Sequence, residues 1–186
     1  LSISPIEMLL QGQAILAIVD VQGKLAQLMH DRGALFANLQ RMVRGAQILE
    51  LPILWAEQNP RGLGPTIPEL TALLVDQQPH SKMTFSCLGS PGFAAALERS
   101  GRKQVLLAGI EAHICVYNTA ADLLARGFEV HVVADAVSAR VAANREVGIR
   151  RMCNAGAVLS SVEMALFEMM QTADHPRFRD IQAIVK

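Results

Sequence analysis

Ala14-Ile-Leu-Ala-Ile-Val-Asp20 is a continuous apolar run closed by an acid. A strand covered on both faces of a parallel sheet reads this way, because neither face needs to be polar. The acid at its carboxyl end marks a site, since ligands of open parallel sheets bind beyond the carboxyl ends of the strands. Downstream, Leu35, Leu39, Met42, Val43, Ala46 and Leu49 recur at three- and four-residue steps and predict a helix that ends before Leu51-Pro52. Ile53-Leu-Trp-Ala56 follows as a second strand. Asn59-Pro-Arg-Gly-Leu-Gly-Pro65 is a turn-rich loop, residues 67–75 a short helix and residues 80–85 a third strand. An amphipathic helix around residues 93–100 leads to Gln104-Val-Leu-Leu-Ala108, then come Glu129-Val-His-Val-Val-Ala134 and Ala157-Val-Leu159, with helices between. This alternation lacks hairpin signals. It predicts an α/β fold of three α/β/α layers, Rossmann-like, with a six-stranded, mainly parallel sheet and right-handed crossovers.

The chain has 186 residues, 51% of them hydrophobic but only 4% aromatic, so its core must be built from aliphatic side chains and methionine. That length fits one core. Residues 14–186 are expected to form a single domain, and residues 1–13, without an initiator Met, an N-terminal extension in part foreign to it. Seventeen basic residues balance seventeen acidic ones. No excess positive charge is present to attract nucleic acid or an anionic membrane, so neither is an expected partner. The apolar runs are too short to span a bilayer, and the first thirteen residues lack the pattern of a secretory leader. Three cysteines without CxxC spacing suggest neither a disulfide framework nor a zinc knuckle, and fit a reducing, cytoplasmic setting. The high apolar content leads us to expect a homo-oligomer, a dimer or larger.

Three polar residues fall at or just past strand ends: Asp20, Lys82 and Cys115. Each has an ordinary reading by itself. Asp20 could cap a turn, Lys82 could be a solvated surface lysine, and Cys115 a small apolar residue in a helix. Their convergence on one sheet edge points to chemistry. A thiol needs a cation, a base or a helix N-terminus to react as thiolate, and a helix over residues 114–126 would put Cys115 in its first turn. Cys87 and Cys153 have neither a basic neighbour nor a strand-end position and read as inert.

Ile18-Val-Asp-Val-Gln22, Lys82 and above all Gly109-Ile-Glu-Ala-His-Ile-Cys115-Val resemble the isochorismatase-like cysteine hydrolases, over nearly the whole chain. The resemblance is closest to the isochorismatase domain-containing branch, through residues 57–64, 129–136 and 174–178. It implies that Asp20 is a general base, Lys82 the cation that stabilises a thiolate, and Cys115 the nucleophile. It also implies a cis peptide between Ile110 and Glu111, with the backbone amides of Glu111 and Cys115 forming an oxyanion hole. The reaction implied is hydrolysis of a small amide- or imide-like carbonyl compound through a thioester. The enzymes that cleave isochorismate itself use no cysteine nucleophile, so the family name is not taken as the reaction.

Gln22, Phe36, Trp55, Glu57, Gln58, Phe85 and Tyr117 are expected to shape the substrate pocket. His113 is expected to form hydrogen bonds or line that pocket, and Asp135 either to line the site or to cap the following helix. Relatives that hydrolyse nicotinamide carry an Asp-x-His cluster after strand two, where this chain has Trp55-Ala-Glu-Gln-Asn-Pro60. The histidines at 30, 80, 113, 131 and 175 show no metal-ligand spacing. No metal and no cofactor are expected. Asp20-Val-Gln-Gly-Lys-Leu25 has no glycine fingerprint for a dinucleotide. The competing reading is a non-catalytic binding or scaffolding protein that keeps the hydrolase fold.

Overall fold

In the computed structural model, residues 8–186 are described. The strands are β1 (Ala14–Val19), β2 (Ile53–Gln58), β3 (His80–Lys82), β4 (Gln104–Ile110), β5 (Glu129–Ser138) and β6 (Val158–Ser160). They form one sheet in the order β3-β2-β1-β4-β5-β6, parallel at every pairing. The helices are α1 (Gly23–Gln27), α2 (Arg32–Ile48), α3 (Pro60–Leu63), α4 (Pro68–Thr71), α5 (Pro91–Arg99), α6 (Tyr117–Ala125), α7 (Ala142–Asn154), α8 (Val162–Met170) and α9 (Phe178–Val185).

Side chains alternate across a strand, and β1 divides between two cores accordingly. Leu16 and Ile18 join α2, α8 and α9 on one face; Ile15, Ala17 and Val19 join α5, α6 and α7 on the other. All six residues of β1 are buried. The strand order reverses beside it, where β1 lies between β2 and β4, and crevices open at such points.

Several boundaries differ from the sequence-based expectation. The strands β2, β4 and β5 run further than predicted, because their carboxyl ends stay paired while approaching the site. The predicted loop after β2 holds the single turn α3, and the helix predicted over residues 67–75 is only the turn α4. The third strand stops at Lys82 rather than at residue 85, because the chain there bends back over the Lys82 ammonium. Part of the leading segment packs on the domain. Leu9 is fully buried, Leu10 N–H donates to Gln104 Oε1 at 2.8 Å, and Gln104 Nε2 donates to the Met8 carbonyl at 2.9 Å. Residues 1–7 lie outside the described part.

Candidate active site

Asp20 follows β1 with φ of 52°, in the left-handed region that L-residues seldom occupy and that Asp tolerates better than most. Its N–H donates to the Ala56 carbonyl at 3.1 Å, and its residue is 1% exposed. Lys82 closes β3 and extends its ammonium to Asp20 Oδ2 at 2.7 Å. The same ammonium donates to Gln58 Oε1 at 2.8 Å, the Phe85 carbonyl at 3.0 Å and the Thr84 carbonyl at 3.1 Å. An ammonium has three hydrogens, so these four acceptors engage it completely. The loop after β3 thus winds around the charge, and Thr84 Oγ1 tightens it by donating to the Ser86 carbonyl at 2.8 Å.

Cys115 arrives from β4. Gly109, near the end of that strand, has φ of 118°, and a Cβ there would stand 2.1 Å from the Val19 carbonyl oxygen. Only glycine lets β4 pass β1 so closely. The peptide bond between Ile110 and Glu111 is cis. Ala112–Val116 then forms a single π turn leading into α6, so Cys115 sits in a wider first turn than the α-helix the sequence suggested. Among the described residues, the Glu111 N–H donates to no backbone acceptor, and the Cys115 N–H to none outside its own turn.

Two contacts brace this turn. The Glu111 carboxylate, 6% exposed, accepts from the backbone N–H of Arg140 at 2.9 Å and from its Nε at 3.1 and 3.2 Å. A Cβ on Gly148 of α7 would meet the Ala112 carbonyl at 2.6 Å, which shows how tightly α7 presses on the turn.

Burial is the main force on the ionisable groups. It pushes the Asp20 carboxyl up from its ordinary value, and Lys82 and the nearby Cys115 thiol pull it only part of the way back. Burial, then the Asp20 carboxylate, push the Cys115 thiol well up, with Lys82 opposing. Burial thus favours the neutral thiol at Cys115, beside an Asp20 carboxyl in contact with the Lys82 ammonium at 2.7 Å. Asp20 Oδ1 is buried and has no hydrogen-bond partner among the described residues. Burial pushes Cys87 up to about 12, and Cys153 is also raised by burial.

Beside the thiol lies a cavity of about 150 Å³. Leu25, Leu63, Phe85, Ile110 and Ile114 wall it, and Asp20, Gln58, Glu111 and Cys115 supply its polar edge. Of the expected pocket residues, Gln58 and Phe85 line it; the others do not. Gln22 is a loop clamp, donating to the carbonyls of Gly64 at 2.7 Å and Gln58 at 3.1 Å and accepting from the Gln58 N–H at 2.7 Å. Glu57 Oε1 accepts from Thr66 N–H at 2.7 Å and Oγ1 at 2.9 Å, which ties down the loop after β2. Trp55 is buried in the core under α2, Phe36 packs against that core, and the Tyr117 ring lies under the Arg151 guanidinium. His113 does not line the cavity, and its Nδ1 is buried without a partner among the described residues. Asp135 Oδ1 accepts from the Val162 N–H at 2.9 Å, holding the start of α8 rather than of the next helix. Leu25, Leu63, Ile110 and Ile114 went unnoticed in the sequence, where apolar residues near strand ends carry only the signal of core.

A parallel α/β/α sheet with a buried carboxylate, an ammonium and a thiol gathered at its carboxyl edge defines the class: a three-layer protein with an enzyme-type pocket. The chain belongs to the isochorismatase-like hydrolase family, the isochorismatase domain matching residues 13–164. It is 42% identical to isochorismatase domain-containing protein 2 of Macaca fascicularis, over 95% of this chain and 85% of that one. A solved structure of MAR1 ribonuclease from Caenorhabditis elegans superposes with a TM-score of 0.90 at 34% identity, covering 96% of this chain and 92% of the other. YcaC from Pseudomonas aeruginosa, solved with hexane-2,5-diol and covalent acrylamide, gives 0.90 at 26% identity, over 97% and 93%. The YcaC product of Escherichia coli, an octameric hydrolase of unknown specificity, gives 0.87 at 25% identity, over 97% of each chain.

Proposed function

We infer that the chain is a cysteine hydrolase that cleaves the C–N bond of a small amide- or imide-like compound, with Cys115 as nucleophile, Asp20 as general base and acid, and Lys82 as fixed cation. The observation that carries this reading is the meeting of the three groups at the ends of β4, β1 and β3, with Lys82 Nζ 2.7 Å from Asp20. Asp20 takes the thiol proton as the sulfur attacks the carbonyl carbon and the C=O electron pair moves onto oxygen. The amides of Glu111 and Cys115 receive that oxyanion; one such donor is typically worth about 3 kcal/mol of barrier. The C–N bond then breaks, Asp20 returns the proton to the departing nitrogen, and a thioester remains. Asp20 next deprotonates a water, which attacks the thioester carbon. The sulfur leaves with its electron pair and regains the proton from Asp20.

Self-association and a reducing, cytoplasmic setting belong to the same proposal, the first supported by the octameric relative and the second by the free thiols. Among the described residues, no helix is long and apolar enough to cross a membrane.

Iodoacetamide labelling of Cys115, read by mass spectrometry, tests the core of the reading. Labelling is expected at neutral pH although burial raises the thiol, because Asp20 accepts the proton. Asp20→Asn should slow it about a hundredfold, a usual contribution of a general base. Equal rates in both folded proteins would refute the assignment and favour a binding protein with an unused pocket.

A further inference from the structure

We propose that the Cys115 cavity accepts small, uncharged amides bearing a compact apolar group and rejects amides of the same size that carry a carboxylate at the far end. This deepens the hydrolase reading and rests on it.

No Lys, Arg or His side chain lines the cavity among the described residues. The nearest ammonium, Lys82, already serves four acceptors and its side chain is fully buried. The Gln58 amide is engaged at both ends, its Oε1 accepting from Lys82 and its Nε2 donating to the Met83 carbonyl at 2.8 Å. The Glu111 carboxylate is held by Arg140, whose guanidinium faces that carboxylate. A distal carboxylate would therefore enter a site that offers it neither cation nor free side-chain donor, while stripping it of water. Charged groups are buried only when paired.

What the wall does offer is of the opposite kind. Five apolar side chains face the cavity, and the buried Asp20 carboxyl at its polar edge is an acceptor. An acceptor beside the thiol suits the N–H of a primary amide, and apolar walls suit a short branched chain. An apolar cavity of about 150 Å³ holds a molecule of roughly benzene size, which bounds the part of the substrate that is enclosed.

Two amides of nearly equal shape separate charge from size: isovaleramide, with an isopropyl end, and malonamate, with a carboxylate in its place. Each competes with iodoacetamide for Cys115, Cys153 serving as the reference thiol. Isovaleramide is expected to protect Cys115 at concentrations roughly tenfold or more below those malonamate requires, the scale set by an unpaired buried charge. Leu63→Arg, which adds a cation to a half-buried wall position, should shift protection toward malonamate. Equal or better protection by malonamate in the wild type, or protection by neither amide of a thiol whose labelling depends on Asp20, would overturn the inference and leave the hydrolase reading standing. Labelling that ignores Asp20 would remove that reading, and this inference with it.

Discussion

Replacing Lys82 by methionine keeps an unbranched side chain one atom shorter and removes the charge, and its effect on stability should depend on pH. Lys82 and Asp20 have side-chain exposures of 0% and 2%, and their contact is 2.7 Å, so solvent screens neither. Losing the ammonium leaves a buried carboxylate without a cation, at a cost of about 3 to 5 kcal/mol if it stays ionised. Asp20, already raised in the wild type, escapes part of that cost by binding a proton. Its folded pKa then lies further above the unfolded value near 3.9, so the folded state holds a proton that the unfolded state releases. Stability is therefore greatest below the unfolded pKa and is lost as pH rises toward the folded pKa. At 1.36 kcal/mol per pH unit, protonating Asp20 costs about 1.5 kcal/mol at pH 5, while at pH 8 the cost reaches the 3 to 5 kcal/mol ceiling. Loss of the hydrogen bonds to Gln58, Thr84 and Phe85 adds a part that does not vary with pH. Urea unfolding of wild type, Lys82→Met and Lys82→Met/Asp20→Asn at both pH values measures this. The single variant should lose about 2 kcal/mol more at pH 8 than at pH 5, and the double variant should show no such difference. A loss independent of pH, or equal in single and double variants, would refute the account of the buried pair.

Two further substitutions probe the support of the π turn. Gly148→Ala should destabilise by about 1 to 3 kcal/mol in thermal or urea unfolding, since its Cβ would meet backbone atoms of Ala112 and His113 at 2.6 to 2.7 Å and no flexible side chain can yield. Arg140→Ala should change stability by less than about 1 kcal/mol, because the guanidinium is half-exposed and the Arg140 N–H still holds the Glu111 carboxylate. It should nevertheless lower kcat for an amide substrate more than it raises KM, by loosening the amide of Glu111, while iodoacetamide labelling of Cys115, which forms no oxyanion, stays unchanged.

The strands were legible because burial on both faces leaves a one-dimensional mark: β1 shows no polar residue before Asp20. Asp20 and Cys115 were legible from the ends of β1 and β4, whereas Lys82 was singled out through the family resemblance, since the third strand was drawn three residues too long. Side-chain direction beyond the strand was not legible. Gln22 and Glu57 have the chemistry of ligand-binding groups, but the turn after β1, with Asp20 at φ 52°, and the bridge from Gln22 to Thr66 use them to hold loops. A polar residue beside a strand end serves a substrate or the backbone, and only the turn geometry decides which. The π turn left no composition signal either, since the Ala112–Val116 segment reads as ordinary helix.

The raised thiol of Cys115 sharpens the view of the site as well. A helix N-terminus and a nearby lysine, read from sequence, suggested a thiolate stabilised in advance. In the fold, the ammonium is committed to Asp20 and three other acceptors, and burial disfavours adding any net charge. Moving a proton from Cys115 to Asp20 adds none: an ionised carboxylate becomes neutral as a neutral thiol becomes charged, both beside the same ammonium. Burial raises both groups, so it opposes charge on the thiol and on the carboxyl alike. The fixed ammonium, and backbone amides at the developing oxyanion, can then favour the thiolate only while substrate is being attacked. Under the mechanism proposed above, such a site needs no thiolate formed in advance, and each proton passes through Asp20.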